Sequence, residues 1–302
     1  MTVDHQEAYP ANTLYHLSHL AAIEVIGDDA SQFLQGQLTC NVNELTETKA
    51  SIAAFCNPKG RAISTLLIIK IPSGFLLILP RSLLDKVINK LQMYVLRSKV
   101  KLTDKTNELT IIGLSCSEPA ATGLDLPNDD FHCSHSGNQI LVKLPSTYPR
   151  FLCITNAGDT LQGFVEGKEQ EWRYLDISCG FPWFELDQSE KYIPQALNID
   201  QLGGISFNKG CYTGQEIVAR THYLGQIKRQ LCLAECQRVL RPSGDLAVKD
   251  VETQQKTGEV LALQAIADST RLLLVLQTVD GKAKNLILDD IEQTPLTLVP
   301  HQ

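Results

Sequence analysis

No stretch of this 302-residue chain is basic enough to mark a nucleic-acid groove, and none is apolar enough to mark a membrane span. Lys and Arg number 27 against 34 Asp and Glu, a formal charge of -7, which is the wrong sign for a surface that neutralises phosphates. The longest apolar runs, Ala62 to Ile71 and Phe75 to Pro80, fall well short of a bilayer's thickness. Met1 to Pro10 is polar and resembles neither a secretory nor a transit leader, so a cytoplasmic protein is expected. The 9 cysteines show no regular pairing, as in a reducing compartment. Internal repeats and low-complexity tracts are missing, and Gly203-Gly204 lacks the frame of a phosphate loop. Metal ligands are equally thin. Cys232 and Cys236 share one strand face with no second pair, and His132-Cys133-Ser134-His135 is expected in a polar loop without a partner cluster. No metal is expected.

Within those exclusions the chain is an ordinary globular one, long enough for two or three domains. Strands are predicted at Ala21 to Ile26, Ser51 to Cys56, Arg61 to Ile71 and Gly74 to Leu79, with a turn at Asn57-Pro58-Lys59-Gly60. Asp28 and Asp29 are placed to cap a helix running to about Gln37. Leu84, Val87, Ile88, Leu91 and Val95 recur at helical spacing, with Ser82 and Asp85 as a capping-box-like start. Strands at Val100 to Leu102, Glu108 to Leu114 and Gln139 to Leu144 follow, then a helix over Gly167 to Cys179. From Gln230 onward, short strand-like runs separated by turns predict a small antiparallel β-barrel or sandwich: Leu231 to Ala234, Asp245 to Val248, Gly258 to Ile266, Arg271 to Val279 and Leu296 to Val299.

The segment richest in chemistry is Asn208-Lys209-Gly210-Cys211-Tyr212-Thr213-Gly214-Gln215-Glu216. Gly210 and Gly214 allow a sharp turn that exposes the thiol between them. Lys209, with Arg220 downstream, is placed to favour the thiolate. A cysteine-hydrolase pairing of Cys211 with His222 lacks any patterned oxyanion pocket or orienting acid. Trp172, Phe181, Trp183 and Phe184 suit either core packing or stacking on a flat heterocycle such as a pterin.

Tyr192 to Arg229, reading YIPQALNIDQLGGISFNKGCYTGQEIVARTHYLGQIKR, resembles the signature of the YgfZ family. These are folate-binding proteins also described as tRNA-modifying, related to mitochondrial iron–sulfur assembly factors and to glycine-cleavage T-protein. Lys209 to Glu216 matches the family's Lys-Gly-Cys-Tyr-x-Gly-Gln-Glu hallmark, so Gly210, Tyr212, Gly214, Gln215 and Glu216 are motif positions beside Cys211. Leu34-Gln35-Gly36-Gln37-Leu38-Thr39 resembles the family's Gln-Gly-Gln-x-Thr element, and Asn57-Pro58-Lys59-Gly60-Arg61 its next turn. Leu175 to Pro182 is similar to a helix end of the relatives, with Asp176 where they often carry Arg.

The resemblance implies an α+β fold of three domains in a ring around a tetrahydrofolate-sized hole. Residues 1–46 with 145–227 would form a split first domain, 47–144 a ferredoxin-like one, and 228–302 the barrel. It also implies that Trp172 stacks on tetrahydrofolate or another folate, that Gln195 and Asn198 contact it, and that Leu20 stands at a position aromatic in some relatives. T-protein-like aminomethyltransferases carry an acidic pair where this chain reads Arg61-Ala62-Ile63-Ser64-Thr65-Leu66. A hydroxyl does not replace an ionised acid in proton transfer near neutral pH, so glycine cleavage is not expected. The leading expectation is a folate-binding accessory factor for synthesis, repair or maintenance of iron–sulfur proteins, acting on tRNA thiolation through those clients. Cys211 would be its working thiol, with Lys209 and Arg220 as aids; sulfur, iron and one-carbon chemistry stay open, as does whether a reaction is catalysed. A folate-dependent one-carbon transferase or demethylase is the alternative, and a direct tRNA-binding module the third.

Overall fold

Strands carry most of the regular secondary structure in this computed structural model, which describes residues 11–225, 227–241, 246–277 and 285–301. In chain order they begin β1 (Thr13–His16), β2 (Leu20–Ile26), β3 (Ser51–Cys56), β4 (Ala62–Ile71), β5 (Gly74–Pro80) and β6 (Lys101–Asp104). There follow β7 (Leu109–Ser115), β8 (Cys133–Ser136), β9 (Gln139–Lys143), β10 (Arg150–Asn156) and β11 (Val165–Glu166). The last are β12 (Arg229–Cys236), β13 (Ala247–Asp250), β14 (Lys256–Ile266), β15 (Ser269–Gln277), β16 (Leu286–Leu288) and β17 (Pro295–Val299). The helices are α1 (Ala30–Gln35), α2 (Leu84–Val95), α3 (Glu169–Ser178) and α4 (Gln215–Leu224). Two compact units result: Met1–Gln35, Asn41–Ile52 and Leu66–Trp172 form the first, and Gly36–Cys40, Ala53–Thr65 and Arg173–Gln302 the second.

The first unit holds a six-stranded sheet in the order β11-β1-β7-β10-β9-β8, antiparallel except for β1 against β11. A five-stranded sheet has the order β3-β4-β5-β2-β6. Eight consecutive residues of β4, Ala62 to Ile69, are buried, which explains why the strand, apolar except for Ser64 and Thr65, shows none of the alternation of a half-exposed one. Trp172 covers the middle of the six-stranded sheet. A Cβ added to Gly113 on β7 would lie 2.4 Å from the indole, so only glycine lets the ring seat there. Tyr15, the cross-strand neighbour of Gly113, packs with its ring centroid 5.6 Å from that of Trp172. The Arg150 guanidinium lies 5.1 Å over the indole.

In the second unit β12-β15-β14-β13-β16-β17 close into a barrel, with β12 paired to β17. Cys236 is buried in the barrel core and Cys232 packs against it, as one strand face predicts. Register shifts at Val248/Lys249 and Val260/Ala262 mark the bulges that help the sheet curl. Side chains from earlier in the unit anchor onto barrel strands: Tyr192 Oη donates to Glu259 Oε2 at 2.7 Å, and Arg271 Nη1 to Ser178 Oγ at 2.6 Å.

Several expectations are corrected. Ser82 does not cap α2; it lies inside a 3-10 turn, Arg81–Leu83, and the helix starts one step later without a side-chain cap. α1 stops at Gln35, and Asp29 turns its carboxylate to Lys99 N at 2.7 Å, satisfying the incoming backbone at residue 99. His132 to His135 is not a loop, since Cys133 opens β8 and is 5% exposed. The strands β1, β8, β10, β11 and β16 had no counterpart in the sequence reading. Residues 1–10 and the expected turns at Pro242-Ser243-Gly244 and Asp280-Gly281 lie outside the described residues.

Candidate functional site

Three separate sequence motifs meet in the second unit. Thr213 N donates to Gly36 O at 3.1 Å, and Lys209 Nζ donates to Leu38 O at 2.8 Å and Cys40 O at 2.7 Å. The loop before α4 is thereby tied along the whole Gly36–Cys40 segment. On its other side it rests on the Asn57–Arg61 turn. Asn57 Oδ1 accepts from Lys59 N at 2.9 Å and Arg61 N at 3.1 Å, which fixes that turn, while Asn57 Nδ2 donates to Glu190 Oε2 at 2.7 Å.

Glycine is required at the junction. Gly214 has φ +84°, and a Cβ there would lie 2.6 Å from Asn57 O and 2.9 Å from Gly60 Cα. Gly60 has φ +68°, and its Cβ would meet Ile217 Cβ at 2.8 Å. Two backbones thus approach through two left-handed glycines. Gln215 closes the loop, its N donating to Tyr212 O at 3.1 Å and its Oε1 accepting from Tyr212 N at 3.3 Å. Glu216 sits in the first turn of α4, where an acid suits the helix dipole.

Cys211 is the one exposed cysteine of the nine. Burial pushes the thiols of Cys116, Cys133 and Cys153 up to about 12, which makes them inert. Lys209 points inward. The residue is 9% exposed, and its ammonium, 5.0 Å over the Tyr212 ring, is occupied with backbone carbonyls, whereas Cys211 two residues on is exposed. Arg220 lies on the exposed outside of α4. His222 stacks on Phe207 with centroids 3.7 Å apart, so its ring face is spent on that contact.

Burial pulls the Lys209 ammonium down from 10.5 to about 8, and the neighbouring Cys40 partly opposes this. The unfolded chain therefore holds a proton that the folded one lacks between about pH 8 and 10.5. Stability from this group rises with pH across that window, and the burial penalty is complete below it. In urea titrations the wild-type midpoint should gain on that of Lys209→Met between those limits; parallel curves would contradict the buried ammonium.

Buried acceptors stand near the loop in sequence. Gln195 Nε2 donates to Val218 O at 2.7 Å on α4, and Asn198 Nδ2 to Leu231 O at 3.2 Å on β12. Their oxygens, with Asp200 Oδ1 and Tyr212 Oη, have no hydrogen-bond partner among the described residues. Burial raises the Asp200 carboxyl, opposed by hydrogen bonds from its own turn and by His222. Sequence reasoning missed Asp200, although an acid two residues after Asn198 was the available signal. In the first unit Trp172 is fully buried, its Nε1 also unpartnered among the described residues, and Leu20 is 2% exposed in β2 opposite Pro80. Ser64 and Thr65, in the stretch Arg61 to Leu66 that carries no carboxylate, are buried hydroxyls; that of Thr65 donates to Pro182 O at 2.7 Å. Among the described residues no group of three or more His, Cys, Asp or Glu is arranged to hold a metal ion, and no helix is long and apolar enough to cross a membrane.

Residues 2–122 match the family described as the GCVT N-terminal domain. A heterotetrameric sarcosine oxidase from Corynebacterium sp. U-96 in complex with pyrrole 2-carboxylate overlaps in part, at TM-score 0.32, 15% identity, 48% of this chain and 76% of that one. The glycine cleavage system aminomethyltransferase T from Bartonella henselae aligns over 96% of this chain and 85% of its own, with TM-score 0.76 and 14% identity. This chain has the α+β fold of an aminomethyltransferase T, with a closed six-stranded antiparallel barrel in its C-terminal part, and its first part is similar in sequence to the GCVT N-terminal domain.

Proposed function

We propose that the protein binds a folate and serves as an accessory factor in the synthesis, repair or maintenance of iron–sulfur proteins, with Cys211 as the working thiol. One observation carries the reading: on the fold of an aminomethyltransferase T, three motifs of the second unit meet around a loop that holds a single exposed cysteine. An exposed thiol is available as a nucleophile or soft donor to another protein, whereas buried Ser64 and Thr65 offer no base for an amine substrate. An effect on tRNA thiolation would then pass through client enzymes.

The residues present fit a pterin in one respect. Its amino and ring N–H groups need acceptors, and Gln195 Oε1 and Asn198 Oδ1 are buried acceptors held in place by their own amide donors. They would bind and orient the ring; the folate, when bound, supplies one-carbon chemistry. The stacking expected of Trp172 is a separate matter, because its indole has no exposed surface in the described structure.

Tetrahydrofolate titration tests both points. The chain has 2 tryptophans, so in Trp183→Phe the emission is that of Trp172 alone. Saturable binding by calorimetry is expected, with quenching of that emission if the indole is uncovered and stacked. Absence of binding would remove the folate from the reading. The fold also favours a second possibility, a folate-dependent transferase or demethylase. It requires turnover of a methylated or aminomethylated amine by the purified protein with tetrahydrofolate.

A further inference from the structure

The contact between Gly60 and Ile217 brings together two elements that carry exposed apolar and cationic side chains. α4 shows solvent three large apolar residues, Ile217 at 37%, Tyr223 at 63% and Leu224 at 84% exposure. Ile217 and Leu224 are seven apart and lie on one helix face, with Arg220 between them. Beside Ile217 the Asn57–Arg61 turn presents exposed Lys59 and Arg61 on either side of Gly60. Neither Lys59 nor Arg220 has an ion-pair partner among the described residues. A protein of net charge -7 thus carries a locally cationic, apolar-centred face on the helix that its exposed thiol loop leads into.

We propose that this face, the outside of α4 with the Asn57–Arg61 turn, docks a partner protein whose contact patch is apolar at its centre and acidic at its rim. Unpaired cations at the edge of an apolar centre match the anatomy of transient protein interfaces. They also give a net-acidic protein an attractive approach to another acidic one. A polynucleotide fits less well: the aliphatic Ile217 and Leu224 offer no stacking face, and few cations surround them. The position explains why the thiol is exposed, since a group passed to or from a docked protein needs no route through the interior. The inference rests on the accessory-factor reading only in taking Cys211 as the working group.

The test uses the full chain and a fluorescein-labelled helical peptide of leucine-glutamate heptads, beside a leucine-lysine peptide and an oligouridine. The leucine-glutamate peptide should bind, weaken with salt, and slow alkylation of Cys211. The double variant Lys59→Glu with Leu224→Ser should lose about tenfold or more in affinity. Both substitutions are at exposed positions, so tetrahydrofolate binding should be unchanged. Equal binding by the variant, no binding by the wild type, or oligouridine bound in place of the peptide would each overturn the proposal. Loss of folate binding with peptide binding intact would instead strike only the folate reading.

Discussion

Cys211→Ser should fold like the wild type, bind tetrahydrofolate equally well, and fail to restore iron–sulfur enzyme activity in cells lacking the protein. The side chain is exposed and nothing packs within 4 Å of where a Cβ on neighbouring Gly210 would be, so the change should fall within about 0.5 kcal/mol of neutral. Chemically the change is large. A serine hydroxyl stays protonated at neutral pH and is both a poor nucleophile without a base and a poor soft donor. The expected pattern is therefore unchanged thermal midpoint and folate affinity, with enzyme activity in cell extracts at the level of the empty strain. Full restoration would show that the loop is held for some purpose other than its thiol.

The second large effect is on stability and concerns the glycine junction. Gly214→Ala should cost about 2–5 kcal/mol. A non-glycine residue in the left-handed region accounts for about 1–2 of these. Forcing a Cβ within 2.6 Å of Asn57 O accounts for about 1–3. Gly203 and Gly210 supply a graded control. Gly203 has φ +73° but open space, so its alanine variant should lose only the conformational part, about 1–2 kcal/mol. Gly210 has neither restriction and should be near neutral. Urea unfolding of the three variants reads the series directly. Equal losses at 203 and 214 would mean that the approach of the two backbones carries no energetic weight.

The glycines also mark how far the sequence could be read. Gly60 and Gly214 were legible as turn formers, each in its own motif, because a turn is a local event. Their contact was not legible, since nothing in either motif encodes the other. Lys209 was read as the neighbour of a sulfur because it is two residues away, yet adjacency along a loop does not fix direction, and the carbonyls of Leu38 and Cys40 that take its ammonium decided it. The barrel was legible from short strands parted by turns, and α2 from its apolar spacing. β10 was hidden because it opens on Arg150, a residue type seldom found fully buried, whose place over Trp172 only the assembled sheet provides. Trp172 itself stood out as an aromatic, but its dependence on Gly113 lies in a strand far away in sequence.

The division of the chain into its two units has a consequence for synthesis. The polypeptide passes from one unit to the other five times, at residues 35/36, 40/41, 52/53, 65/66 and 172/173. When a ribosome has delivered residue 172, the first unit has all its segments, whereas Gly36–Cys40 and Ala53–Thr65 still await theirs. Thr39 must hold for Gly204, and Gly60 for Gly214, partners more than 150 residues later. Until they emerge, a nascent chain carries the apolar residues Ala53 to Cys56 without their final cover. Neither unit can be obtained as one continuous fragment, and a protease cut in Ala53–Thr65 would sever both at once.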